Sequence, residues 1–272
     1  MASATPDPSP ISGANMPRNS DDHDNMHMTA SSNNETADGQ MLEDKATDFK
    51  SDFKSTFTSF GQVSSPSLDV YRMQMGQLTL EVSSGDITKE ACDVIINSSN
   101  QTFTLKSGVS KAILDSAGLT VELECSQIVN SPNYQPGPFI LTSAGQLPST
   151  HIIHVVGKND PAKIKDVVYT VLKFCEENKL SSVSFPALGT GQGGANPSAV
   201  ADAMVDGVVD FVRKKHPRFV CSVKILIFQT VMMAEFHRSM KRREGEQVEA
   251  KSVLTEFKDT VTSCFMGRGE ET

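Results

Sequence analysis

Hydrophobic and polar positions change period repeatedly along this chain, and each change marks a switch between strand and helix. Residues 77–82 (Gln-Leu-Thr-Leu-Glu-Val) alternate strictly, which predicts an edge or half-buried strand. Val94-Ile95-Ile96 is a short, wholly apolar run, the pattern of a parallel strand buried on both faces. Residues 109–117 then take helical spacing, with Val109, Ala112, Ile113 and Ala117 on one side. Further apolar strands are predicted over residues 139–142, 151–156, 183–187 and 223–228. Between the last three lie two amphipathic helices. One carries Ile164, Val167, Val168, Val171, Leu172 and Cys175 on its apolar face. The other carries Val200, Ala203, Met204, Val208 and Phe211, with Pro197 near its start, where a missing amide costs nothing. Residues 233–240 read as a closing helix. Beyond it Val253, Phe257, Val261 and Phe265 recur every four residues, as one more helix would. Strands alternating with helices predict an α/β layer sandwich around a largely parallel sheet.

Composition changes the picture at the ends. Hydrophobic residues make up 38% of the 272, below the ~45–50% usual for a globular chain, so part of the chain is expected to lie outside any core. Residues 1–66 hold ten acids and four bases and hardly an aliphatic run, and are expected to be a disordered acidic tail. A four-residue repeat, Asp48-Phe49-Lys50-Ser51 then Asp52-Phe53-Lys54-Ser55, is read as an accident of biased composition, with a docking motif as the alternative. Residues 67–240 hold sixteen acids and fifteen bases, so binding driven by phosphate neutralisation is not expected of the middle of the chain. Lys241-Arg242-Arg243 is the compact basic cluster.

No run approaches the ~18 uncharged apolar residues of a membrane span. The start, Met1-Ala2-Ser3-Ala4-Thr5-Pro6, has neither the basic nor the apolar part of a secretory signal. The five cysteines (Cys92, Cys125, Cys175, Cys221, Cys264) are odd in number and form no CxxC pair. Reduced, mostly buried thiols in the cytoplasm or nucleus are expected rather than a disulfide frame or zinc site. His151 and His154 lie in an apolar strand-like run and are read as structural, not as metal ligands.

In open α/β sheets ligands bind at the carboxyl ends of the strands, and four loops there stand out. Gly85-Asp86-Ile87-Thr88 is either a turn capped by Asp86 or part of a site. Asn97-Ser98-Ser99-Asn100 leads to Gly108-Val109 at a helix start, which suits an anion held by backbone amides, with a solvated loop as the alternative. The stretch Phe185-Pro186-Ala187-Leu188-Gly189-Thr190-Gly191-Gln192-Gly193-Gly194 packs four glycines into six residues between a strand and a helix, as a phosphate cradle requires. Its GxGxxG match carries little, because the loop follows a late strand and no acidic residue ends the next one; a Walker A loop is excluded by the lack of a following Lys-Ser/Thr. Finally, Phe228 ends the last strand, able to stack on a base or to fill the core.

Taken in order, these loops resemble the macrodomain family, whose members bind ADP-ribose. The resemblance rests on Gly85-Asp86-Ile87-Thr88, Val94-Ile95-Ile96-Asn97-Ser98-Ser99-Asn100, Gly108-Val109, Gly145-Gln146-Leu147-Pro148, Ile153-His154-Val155-Val156-Gly157 and Phe185-Pro186-Ala187-Leu188-Gly189-Thr190-Gly191. The wording of residues 187–195 is similar to the third macrodomain of the macrodomain-bearing mono-ADP-ribosyltransferases, while no transferase domain is visible. It implies a three-layer α/β/α domain over residues 70–241 with a mixed, largely parallel central sheet, followed by a tail over residues 242–272. It also implies roles. Asp86 would accept the adenine amino group, Ile87 would offer its amide to the ring, and Phe228 would pack on the adenine or its ribose. Asn100, Gly108 and Val109 would line the distal ribose and diphosphate, with Asn97 in the same ligand-binding set. Gly189, Thr190, Gly191 and Gln192 would wrap the diphosphate from the other side, and Gly193 stands where an aromatic often closes over the distal ribose.

Hydrolytic members usually carry a triple glycine before the valine, where this chain has Lys106-Ser107-Gly108, and Ser110 follows the valine. Losing those glycines and that aromatic removes devices that would position a water on the distal ribose. The expectation is therefore a monomeric module that binds ADP-ribose and mono-ADP-ribosylated proteins, without cofactor or metal. The alternative is an ADP-ribosyl hydrolase, acting on acidic side chains or on O-acetyl-ADP-ribose.

Overall fold

Period-two patterning decides which helices cover which face of the sheet. The computed structural model describes residues 57–191 and 194–249. In chain order its strands are β1 (Phe57–Ser59), β2 (Ser64–Ser67), β3 (Val70–Met75), β4 (Leu78–Ser84) and β5 (Val94–Ser99). They continue with β6 (Phe139–Ser143), β7 (His151–Val156), β8 (Ser182–Pro186), β9 (Ser222–Ile227) and β10 (Gln247–Glu249). The central sheet has eight strands in the order β2-β3-β4-β9-β8-β5-β7-β6, and β1 pairs with β10 in a separate ribbon. The four inner pairings from β4 through β9, β8 and β5 to β7 are parallel. The β2–β3, β3–β4 and β6–β7 pairings are antiparallel, so the sheet is mixed and largely parallel, as expected.

The helices are α1 (Gly108–Ala117), α2 (Leu119–Val129), α3 (Pro161–Glu177), α4 (Pro197–Lys215) and α5 (Met233–Lys241). Leu80, Val94, Ile96, Ile153 and Ile225 share one face, in one buried cluster with Val171 of α3, Phe211 of α4 and Phe236 of α5. Residues one step out of phase, Ile95, Ile152 and Leu226, join Ile113 of α1 and Val121 of α2 on the other. Helices on both faces make the three layers. The starts of α3 and α4 follow the sequence signals: Asp160 accepts from the Ala162 amide at 3.0 Å, and Asn196 accepts from Ser198 at 2.9 Å, each ahead of a proline.

Three features depart from expectation. The tail boundary at residue 66 falls inside β2 and cuts off β1: Phe60 is buried, its amide donates to Glu246 O at 2.9 Å, and its carbonyl accepts from Gly245 at 3.1 Å. The C-terminal boundary at 242 likewise cuts off β10, whose Val248 is buried in the main core. Neither segment carries enough apolar residues to signal a strand alone; each is covered by the other. Helix α2 was not expected, because Leu119 and Leu123 are exposed and the apolar stripe reduces to Val121 and Cys125. Of the described thiols, Cys125 and Cys175 are buried as expected, Cys92 is half-buried and Cys221 is exposed. The repeat at 48–55, Cys264 and the helix expected from Val253 to Phe265 lie outside the described residues.

Candidate functional site

The carboxyl ends of the parallel strands open onto a cleft of about 520 Å³. Each wall comes from a different strand–loop junction.

After β4 the chain turns through Gly85, Asp86 and Ile87, all lining the cleft. Asp86 caps a 3-10 turn (Ile87–Lys89), its Oδ1 accepting from the Thr88 amide at 2.9 Å and from Thr88 Oγ1 at 2.8 Å. Those two bonds hold the Asp86 carboxyl below its ordinary pKa, so it is an acceptor-only carboxylate at neutral pH. Both readings of Asp86 are compatible. Oδ1 makes the cap, and Oδ2 has no protein partner among the described residues. Ile87 is buried and forms an apolar wall beside it.

After β5 the chain returns through a loop to α1, whose Gly108, Val109 and Ala112 line the cleft. Ser107 stands at the N-cap without a side-chain hydrogen bond to the helix, which leaves the opening amides of α1 uncapped by it. After β8, Pro186, Ala187, Thr190 and Gly191 form the facing wall. The Thr190 hydroxyl donates to Ala187 O at 2.9 Å and closes this turn. Gly189 does not line the cleft. Its φ is +73°, and a Cβ there would lie 2.8 Å from both Ile164 Cδ1 and Lys158 O, so packing and backbone conformation require the glycine. Gln192 and Gly193 lie outside the described residues.

After β9, Phe228 is 85% exposed and lines the cleft mouth with Gln229 and Met232. The core alternative for Phe228 fails because β9 ends at Ile227 and a 3-10 turn (Thr230–Met232) follows. Ala112, Pro186, Leu226 and Met232 were not singled out as ligand-binding. Ala112, one turn after Gly108, could have been found from helix spacing; the apolar positions Leu226 and Met232 look like core in the sequence.

The two asparagines after Ile96 do not line the cleft. Asn97 is fully buried, with Nδ2 donating to His154 Nδ1 at 3.0 Å. His154 Nε2 then donates to Thr142 Oγ1 at 2.9 Å, and that hydroxyl donates to Ser143 O. Burial pushes the His154 pKa down to about 4, so the ring is neutral and this chain of donors runs one way. The structural reading of His154 agrees with this geometry, and among the described residues no three His, Cys, Asp or Glu side chains gather as metal ligands. Asn100 is exposed and its carboxamide is bonded within its own loop, Oδ1 accepting from the Thr104 amide at 2.9 Å.

A three-layer fold with a cleft at the carboxyl ends of parallel strands, walled by an ionised carboxylate, a helix start and a glycine-rich turn, defines a nucleotide-type binding domain. The Macro domain profile matches residues 96–204. The chain is 41% identical over 237 residues to the human protein mono-ADP-ribosyltransferase PARP14, covering 87% of this chain and 13% of that protein's length. It is 33% identical over 143 residues to the O-acetyl-ADP-ribose deacetylase of Escherichia fergusonii, covering 50% of this chain and 81% of the deacetylase. The Oceanobacillus iheyensis macrodomain solved with ADP superposes with a TM-score of 0.58 at 28% identity, over 64% of this chain and 95% of that one. The chain belongs to the macrodomain family.

Proposed function

We propose that this chain is an ADP-ribose-binding module that reads mono-ADP-ribosylated proteins, acting as a monomer in the cytoplasm or nucleus. The cleft carries the reading. Its Asp86 carboxylate suits the exocyclic amino group of adenine, and the exposed Phe228 ring offers a stacking face. The start of α1 and the turn at Thr190 and Gly191 supply amides for a diphosphate without any cation. The macrodomain solved with ADP supports the ligand class. Binding of nucleic acid is disfavoured by charge: Lys241 pairs with Glu244 at 2.9 Å, Arg242 with Asp202 at 3.2 Å, and Arg243 with Asp206 and Glu246. Residence in the cytoplasm or nucleus is supported by cysteines without paired spacing.

Titration calorimetry with free ADP-ribose tests the reading. Micromolar affinity is expected, about −8 kcal/mol. Asp86→Asn keeps the Oδ1 acceptor of the cap but removes the charge. It should lose ~1.5–3 kcal/mol of binding, the range of a charged hydrogen bond, with little change in melting temperature. Folded protein that gives no binding heat would overturn the proposal. The similarity to the deacetylase favours hydrolysis as the second reading. Steady release of ADP-ribose from a protein modified on acidic side chains would establish that reading instead.

A further inference from the structure

Three neighbouring strands carry a row of direct cross-strand partners on the sheet face that Leu226 shares: Arg72 of β3, Glu81 of β4 and Lys224 of β9. Arg72 Nε donates to Glu81 Oε2 at 3.0 Å, and Lys224 Nζ lies 3.3 Å from Glu81 Oε1. The row goes on through Ser184 of β8 to Ile95 of β5, where it becomes apolar core. A further charge closes its polar half from outside the sheet. Glu90, the residue that ends the 3-10 turn Ile87–Lys89, places Oε2 3.0 Å from the same Lys224 ammonium. The Glu90 and Lys224 side chains are 21% and 28% exposed, so water and salt screen this pair less than a pair on open surface.

This is the turn that brings Asp86 and Ile87 to the cleft, whereas neither Glu90 nor Lys224 lines it. Its leading end is packed down: the Gly85 amide donates to Ile227 O at 3.3 Å, and a Cβ on Gly85 would lie 2.9 Å from Leu226 Cδ2. Its trailing end is held at Glu90, by the ion pair with Lys224 and by the Ser149 hydroxyl, which donates to Glu90 O. Between the two ends Asp86 Oδ1 accepts from the Thr88 amide. We propose that Lys224 and Glu90 are positioning residues, whose ion pair seats the trailing end of the turn and so fixes the Asp86–Ile87 wall that selects adenine. With the ammonium gone, Glu81 and Glu90 are left as like charges on either side of its place, and Glu90 moves out to water with the end of the turn. A wall fixed before binding lowers the ordering cost that the ligand would otherwise meet. The inference rests on the ADP-ribose reading for its ligand, and on geometry alone for the seat.

Two measurements decide it. Amide hydrogen exchange without ligand reads the seat: the Thr88 amide should exchange about threefold to tenfold faster in Lys224→Met than in the parent, while the Ile95 and Ile152 amides keep their parent rates. Glu90→Gln, which leaves Lys224 paired with Glu81, should shift Thr88 in the same direction by less, and serves if Lys224→Met does not fold. Calorimetry with two ligands reads the consequence. One is ADP-ribose; the other is its hypoxanthine analogue, whose base presents an acceptor oxygen where adenine presents an amino donor. Lys224→Met should bind ADP-ribose about threefold to tenfold more weakly and the analogue within about twofold of the parent, so that discrimination between the bases narrows. Lys224→Arg keeps a cation between the two carboxylates and should restore the discrimination. Equal losses for both ligands would mean that the pair serves stability alone, and would overturn the proposal. A Thr88 amide that exchanges at the parent rate in both folded variants would overturn it too. If the folded parent binds neither ligand, the functional reading fails alone, and the exchange measurement still decides the seat.

Discussion

On the sheet face covered by α3, α4 and α5, every described strand residue that is buried is aliphatic, aromatic or methionine, from Met73 and Leu80 through Val94 and Ile96 to Ile225. On the opposite face, under and beside α1 and α2, the same strands bury Ser83, Asn97, Ser99, Thr142, His154 and Ser184. The first face supplies cohesion by burying area, which tolerates many side chains of similar volume. The second supplies uniqueness. Asn97 and His154 are direct cross-strand partners, and a slip of β5 by one residue would drive Asn97 into the aliphatic face and leave His154 unpaired. Since Asn100 follows three residues later, the polar face also sets where the loop to the cleft begins.

The largest expected effect separates the two faces directly. Phe211→Ala, emptying a fully buried site on the cohesive face, should cost ~3–5 kcal/mol, seen as a lower urea midpoint with an unchanged slope. Thr142→Val, which leaves the His154 Nε2 proton only the weak Cys125 Sγ acceptor at 3.7 Å on the polar face, should cost ~1–3 kcal/mol. A larger loss from Thr142→Val than from Phe211→Ala would reverse the assignment of cohesion.

Titration sharpens the contrast, because among the described residues the buried histidine, His154, lies on the polar face. His154 is held at about 4 by burial, against 6.5 for a free histidine, so the folded state favours the neutral form. Its stabilising contribution is complete above pH 6.5 and is lost as pH falls toward 4, by roughly 3 kcal/mol in all. Unfolding midpoints at pH 7 and pH 4.5 should therefore differ in the parent, and His154→Gln should flatten much of that difference. Equal midpoints in the parent would rule this out.

A last effect concerns the margin of the cohesive face. Two truncations, one starting at Phe57 and one at Ser67, differ by β1, most of β2, the Val63 amide bond to Glu244 and, above all, the buried Phe60 with its bonds to Gly245 and Glu246. The shorter chain should be less stable by ~1.5–3 kcal/mol, the worth of burying one such side chain. Matching thermal melts of the two proteins would show that the β1–β10 margin contributes nothing.

By itself the sequence determined the elements with long, regular patterns: the alternating β4, the apolar β5 and β7, and the amphipathic α3 and α4 all appear where periodicity put them. Local pattern suffices there because a strand or helix with one apolar face can be buried in only one orientation. It also located the loops at the carboxyl ends of the strands, and with them Asp86, Ile87, Gly108, Val109, Thr190, Gly191 and Phe228 at the cleft. Tertiary structure decided the rest. Gly189 and Gly191 stand two residues apart in one motif, yet Lys158 O and Ile164 crowd the first while nothing lies within 4 Å of a Cβ on the second. Asn97 and Asn100 look alike in a polar loop, but His154, more than fifty residues away, claims one, and Thr104 claims the other. Strands β1 and β10 carry almost no apolar signal and exist because each covers the other's edge. In each case the deciding partner is distant in sequence or set by a turn, and hydrophobic period records only what a residue needs, not which neighbour meets that need.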